Sequence, residues 1–163
     1  MKMGATIDPT GRYRYALWRT WDGDAPRVAF LMLNPSTADA RRDDPTIRRC
    51  IGFARSWGFG SVEVVNLFAY RTPDPEVLRR ALHPVGPEND RYLRKVARRA
   101  QQLIVAWGNR GALQGRDEAV MRLLRKVGTV YCLGRTQAGH PRHPLYVRKD
   151  TTPAPFEMDQ REG

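Results

Sequence analysis

Two hydrophobic periods alternate along the chain. Val28–Leu33 is a run of six apolar residues closed by Asn34, Pro35, Ser36 and Thr37. A short apolar run bounded by turn residues predicts a strand buried on both faces. Ser61–Phe68 (SVEVVNLF), Leu103–Trp107 (LIVAW) and Thr129–Leu133 (TVYCL) predict three more. Tyr13–Trp21 is aromatic and partly alternating, which predicts a strand paired antiparallel with Val28–Leu33 across the turn Asp22–Pro26. Helical spacing fills the intervals. Ile47, Cys50, Ile51, Ala54 and Trp57 form a stripe, with Asp44-Pro45 as cap and first turn and Gly58 as stop. Arg48, Arg49 and Arg55 lie off that stripe. Asp74-Pro75 predicts a short helix through Leu82. Gly86-Pro87-Glu88 opens a longer one with the stripe Tyr92, Leu93, Val96, Ala97 and Ala100. The last helix carries Ala119, Val120, Leu123, Leu124 and Val127 and stops at Gly128.

Strands alternating with helices predict an α/β fold. We expect a three-layer α/β/α sandwich with a central, mainly parallel four-stranded sheet and one or more added N-terminal antiparallel strands. One domain is expected over residues 1–148, followed by a loosely held tail over 149–163. In such sheets ligands bind beyond the carboxyl ends of the strands. Four loops start there: Asn34-Pro35, Asn66, Trp107-Gly108-Asn109, and His140–Tyr146.

Charge narrows the partner. Lys and Arg number 28 against 17 Asp and Glu, a net of +11 over 163 residues. This favours nucleic acid or another polyanion. Five cations, Arg91, Arg94, Lys95, Arg98 and Arg99, sit opposite the apolar stripe of one predicted helix, as a DNA-facing stripe or a solvated face. Cys50 and Cys132 form no C-x-x-C pair, so buried thiols in a reducing compartment are expected. The N-terminus MKMGATIDPTGRYRY has no apolar stretch of signal-peptide type. No segment has the run of about 20 apolar residues that a membrane helix needs. A monomeric protein of the cytoplasm, associated with the nucleoid, is expected.

The loops offer specific chemistry. Asn34 precedes proline, which holds its backbone extended. Its amide can orient a water or close an Asx turn. Asn66 ends a buried strand, where its amide must bond backbone or a ligand. His140 and His143 each precede proline. A neutral imidazole N–H there can donate to charge developing on a leaving group, or bond a turn. Asp39, Asp43 and Asp44 could be read as a Mg²⁺ set, but Asp44 is accounted for as a helix cap. Trp18 and Trp21 are expected to pack rather than stack on bases.

In this order the four loops resemble those of the uracil-DNA glycosylase superfamily. Leu33-Asn34-Pro35-Ser36 is similar to its Gly-x-Asn-Pro turn. Val64–Pro73, with Asn66 as the base-reading position, is similar to its second stretch, Val105-Ala106-Trp107-Gly108 to its third strand end, and His143-Pro144-Leu145-Tyr146 to its His-Pro loop. His140-Pro141 is a poorer match to that loop. The similarity runs from Arg27 to Tyr146. The string NPSTAD, DDPT, NLFAYR and HPLY resembles more closely a bacterial and phage domain family of unknown function.

The superfamily resemblance implies a DNA base glycosylase that flips a base and cleaves its N-glycosidic bond without metal or cofactor. It implies catalytic roles for Asn34 and His143. Asn66, Pro35 and Tyr70 would bind the base, and Ser36, Arg71, His140 and Arg142 the phosphates. Leu33 replaces the usual glycine, and the serine after His-Pro is missing. Two cysteines cannot hold the four-cysteine iron–sulfur cluster of some branches. The base-stacking aromatic has only Tyr70 and Phe53 as candidates. Two other classes remain: a binding module that recognises a modified base, nucleotide, RNA or DNA without cutting, and a metal-dependent nuclease built on Asp39, Asp43 and Asp44.

Overall fold

A computed structural model describes residues 1–158; the last five residues of the expected tail lie outside them. Among the described residues seven strands form one sheet. In chain order they are β1 (Lys2–Ile7), β2 (Arg14–Thr20), β3 (Arg27–Met32), β4 (Ser61–Asn66), β5 (Gln102–Val105), β6 (Val130–Cys132) and β7 (Ala154–Phe156). In space the order is β1-β2-β4-β3-β5-β6-β7. The four predicted core strands are the four parallel neighbours, with registers such as Val28↔Val62, Leu31↔Val105 and Ile104↔Tyr131. The outer pairs β1–β2, β2–β4 and β6–β7 are antiparallel. The sheet is therefore mixed, where a mainly parallel one was expected.

Three local expectations are corrected. β2 lies against β4, with Leu17 opposite Val64, and not against β3. β3 is buried along nearly all its length, and its two edges are taken by β4 and β5. The Asp22–Pro26 turn therefore carries the chain past β4 instead of closing a hairpin. β1 was given no place in the sequence; KMGATI has a weak apolar pattern, and among the described residues it pairs with β2 alone. β7 lies within the expected tail. Phe156 is buried in the core, and Pro155 is tolerated because β7 is an edge strand.

Side chains alternate across the strands, so the sheet feeds two apolar clusters. Val28, Phe30, Met32, Val62, Val64 and Ile104 pack with Ile47, Cys50, Phe53 and Ala54 of α1 (Pro45–Ser56). Ala29, Leu31, Val65, Leu103 and Val105 pack with Leu93, Val96 and Ala97 of α3 (Asn89–Arg99). The same cluster takes Val120 of α4 (Arg116–Leu123) and Leu78 of α2 (Pro75–Arg80). Asp44 caps α1 as expected, accepting from the Ile47 amide at 2.8 Å.

Two buried charges brace the frame. Glu63 on β4 is fully buried and is held by Arg27 (3.1 Å) and by Arg99 of α3, whose Nε donates at 2.9 Å. Arg99 is thus structural, while Arg91 pairs with Glu88 on the surface. Arg19 on β2, also fully buried, donates to Asp43 (2.8 Å) and to the carbonyls of Trp18 (2.9 Å), Asp39 (2.7 Å) and Arg42 (3.1 Å). Among the described residues no helix is long and apolar enough to cross a membrane.

Candidate functional site

The carboxyl ends of β3, β4, β5 and β6 open onto one cavity of about 580 Å³. Asn34, Ser36, Asn66, Arg142 and His143 all line it. Pro35, Tyr70, Arg71, His140 and Phe53 are not among its lining residues. Pro35 is buried, and its carbonyl accepts from the Thr72 amide. Tyr70 packs edge-on against Tyr13 with ring centroids 6.1 Å apart. Arg71 donates to the Gly11 carbonyl. Phe53 stacks on Trp57 in the core.

Asn34 follows β3, and its amide nitrogen donates to three carbonyls: Pro35 (3.1 Å), Tyr70 (3.2 Å) and Thr72 (2.9 Å). The side chain therefore ties the β3 loop to the β4 loop and has one fixed orientation. Among the described residues no hydrogen bond reaches its Oδ1, which remains available as an acceptor.

Asn66, the last residue of β4, is 1% exposed. Its Nδ2 has no partner among the described residues, and its Oδ1 faces Arg14 Nη2 at 3.5 Å. Its backbone is held separately. Asn89, buried at the start of α3, donates to the carbonyls of Asn66 (2.9 Å) and Leu67 (3.0 Å), and Arg116 donates to Leu67 O (2.8 Å). β4 thus ends on a braced platform, with the side-chain NH2 of its last residue uncommitted.

His143 stands at the start of a single 3-10 turn, Pro144–Tyr146, and its Nδ1 accepts from the Leu145 amide at 3.2 Å. In the neutral ring this places the proton on Nε2. Burial pushes the imidazole below its ordinary value of 6.5, against an opposing pull from Asp44. The working form near neutral pH is a neutral N–H donor. Arg49 of α1 fastens this loop by donating to the carbonyls of Pro144 (3.2 Å) and Val147.

Sequence reasoning gave no site role to two residues that line the cavity, Arg14 and Trp107. Arg14 is 2% exposed, donates to Ala38 O at 3.1 Å and lines the cavity. Burial lowers its pKa to about 10, with Asp44 opposing, so it remains a cation near neutral pH. Trp107 is 2% exposed, with its indole N–H unpartnered among the described residues. Tyr146, 76% exposed and 5.6 Å from the His143 ring, is an aromatic at the mouth that the HPLY string contained.

Each of the three aspartates is already engaged by the protein itself. Asp39 accepts from the amides of Arg41 and Arg42, which holds its carboxyl below the usual range. Asp43 holds Arg19, and Asp44 caps α1. Among the described residues no group of three or more His, Cys, Asp or Glu is placed to hold a metal.

A family model described as "Protein of unknown function (DUF1643)" matches residues 14–145, a span that contains nearly every residue of the cavity. No curated protein and no solved structure matches the chain.

Proposed function

We propose that this chain, which belongs to the DUF1643 family, is a hydrolase of the uracil-DNA glycosylase type. It would act in the cytoplasm on DNA of the nucleoid, with its sheet and helices arranged as a three-layer sandwich of that kind. The carrying observation is that Asn34, Asn66 and His143, from three separate strand ends, line one cavity with room for a flat heterocycle. Their hydrogen-bond states fit the three tasks of N-glycosidic cleavage.

Arg142 and Arg110 at the mouth take the phosphates, and a nucleotide turns into the cavity. Asn66 Nδ2 donates to an oxygen on the base. The C1′–N bond breaks with its electron pair passing to the base, which leaves as an anion. His143 Nε2–H donates to that developing charge. Water adds to C1′, guided by Asn34 Oδ1, and its proton passes to solvent. The departing base anion is protonated from water. The bracing of Asn34 by three carbonyls supplies the preorganisation such a step needs.

The test is release of free base from single- and double-stranded oligonucleotides carrying uracil, hypoxanthine or other altered bases, read as alkali-labile abasic sites. Release is expected from at least one substrate, without added metal. His143→Ala is expected to slow it by about 10²–10³-fold, the usual loss for one electrostatic donor. If no substrate yields abasic product while DNA binding persists, the protein is a binding module of the same shape. If the strands are instead cut at phosphodiester bonds, without free base, and a chelator stops the cutting, the nuclease class is restored.

A further inference from the structure

A cleft larger than the candidate site, about 750 Å³, opens beside the start of β5 and just before β6. It shares no lining residue with the first cavity. β5 runs from one opening toward the other, with Leu103 in the cleft and Trp107, just past the strand's end, in the first cavity. Five cations from three elements line the cleft: Arg94 and Arg98 of α3, Arg122 of α4, and Arg125 and Lys126 of the turn that follows. All five are exposed, and among the described residues none has an ion pair or a side-chain hydrogen bond. No Asp or Glu stands in the lining.

Helix ends account for part of this charge. α3 and α4 both finish here, at Arg99 and Leu123, and cations near a helix C-terminus are favoured. Two such ends amount to about one negative charge. Five positive charges face them. Arg94 stands above the last turn of α3 and is not placed for its end. The surplus is mutual repulsion that no carboxylate of the lining relieves.

The rest of the lining selects among anions. No aromatic ring is present to stack a base, while Gln101, Gln102 and Thr129 offer neutral hydrogen-bonding groups. Such a surface contacts phosphates and does not read bases. A compact anion is normally held by a few fixed polar groups. Here the cations are exposed, unanchored and spread over three elements, which suits a chain of singly charged groups.

We infer that this cleft is a second nucleic-acid site: it takes the phosphodiester backbone of a stretch separate from the one that enters the first cavity, so that one protein molecule holds two stretches at once. The second stretch needs no base to be cleaved, although the first opening is taken, as proposed above, to bind DNA.

The experiment tethers a duplex to beads, loads the full-length protein at low salt, and adds a fluorescent oligonucleotide, single-stranded in one arm and double-stranded in the other. Capture is expected, and the stronger arm names the strand form. Three phosphates met on a duplex would weaken capture by about 40-fold between roughly 50 and 200 mM salt. Arg94→Glu with Arg125→Glu reverses exposed cations of the cleft, and Arg110→Glu with Arg142→Glu reverses exposed cations of the mouth. Each pair is expected to cut capture of the second oligonucleotide by about tenfold while one DNA still binds, and the four together to abolish binding. If the wild type captures no second DNA, the inference fails. It fails equally if the cleft pair captures as well as the wild type, since self-association would then be the bridge. A third failure is inorganic tripolyphosphate shifting the Gln102 and Thr129 amides of ¹⁵N-labelled protein while DNA leaves them in place, which would make the cleft a site for a free anion. Bridging without base release keeps this inference and removes the glycosylase reading; base release with one DNA per protein does the reverse.

Discussion

At the scale of single residues, the site depends on groups whose protonation is set by burial. His143 titrates below 6.5 chiefly because its ring is desolvated. The unfolded chain takes the proton near 6.5 and the folded chain only at lower pH. Between those points the unfolded state holds more protons, so stability falls as pH drops through that window and is fully present above it. His143→Gln is expected to flatten this part of the profile, read as the difference in urea midpoint between variant and wild type on either side of 6.5. Base release should persist below 6.5, because the neutral ring is the donor. A variant that reproduces the wild-type slope would show that another group titrates there. Arg19 poses the opposite case, a cation with no exposure and five hydrogen bonds. Arg19→Met leaves Asp43 and several carbonyls without their donor. A loss of about 3–5 kcal/mol is expected in chemical denaturation, the usual result of breaking one side of a buried pair.

At the scale of elements, the sequence disclosed some parts of the site and hid others for one reason. Asn34, Asn66 and His143 end runs whose apolar character is local, so their place at a strand end could be read directly. Arg14 could not be placed. It stands in a predicted strand, and its closeness to Asn66 depends on β2 lying against β4, an order set by competition between strands for the edges of β3. Trp107 was legible as a strand end, but nothing in the sequence shows that its indole N–H is unmet. Tyr70 was favoured for its neighbourhood in sequence, yet its ring turns toward Tyr13. Arg49 was seen only as lying off the α1 stripe. Its tie to the His-Pro loop spans some hundred residues, beyond any local pattern. Arg49→Ala is therefore expected to free the Pro144–Val147 backbone and slow base release by about tenfold or more through misplacement of His143. Faster amide exchange at Leu145 and Tyr146 should accompany it, with little change in global unfolding. Unchanged exchange would show that the Pro144 turn holds itself.

At the scale of the whole molecule, the net charge of +11 includes two groups of cations set at opposite ends of the parallel strands. Arg110 and Arg142 line the mouth of the candidate site at the carboxyl ends. Arg94, Arg98, Arg122, Arg125 and Lys126 line a second cleft of about 750 Å³, beside the start of β5 and just before β6. No ion pair is found for these five among the described residues. Phosphate binding is salt-dependent wherever a cation meets the backbone, with a slope in log K against log salt of about 0.9 per contact on a duplex. Both clusters should therefore contribute to total affinity, but only cations at the mouth can present a base to Asn66. Arg110→Ala with Arg142→Ala is expected to reduce the slope by about 1.8, two contacts' worth, and to slow base release at sub-saturating DNA. Arg98→Ala with Arg122→Ala should weaken binding at most by a similar amount and leave release at saturating DNA unaltered. The reverse pattern, with release lost from the second pair and kept in the first, would move the catalytic strand to the far cleft and detach it from the three residues on which the proposed chemistry depends.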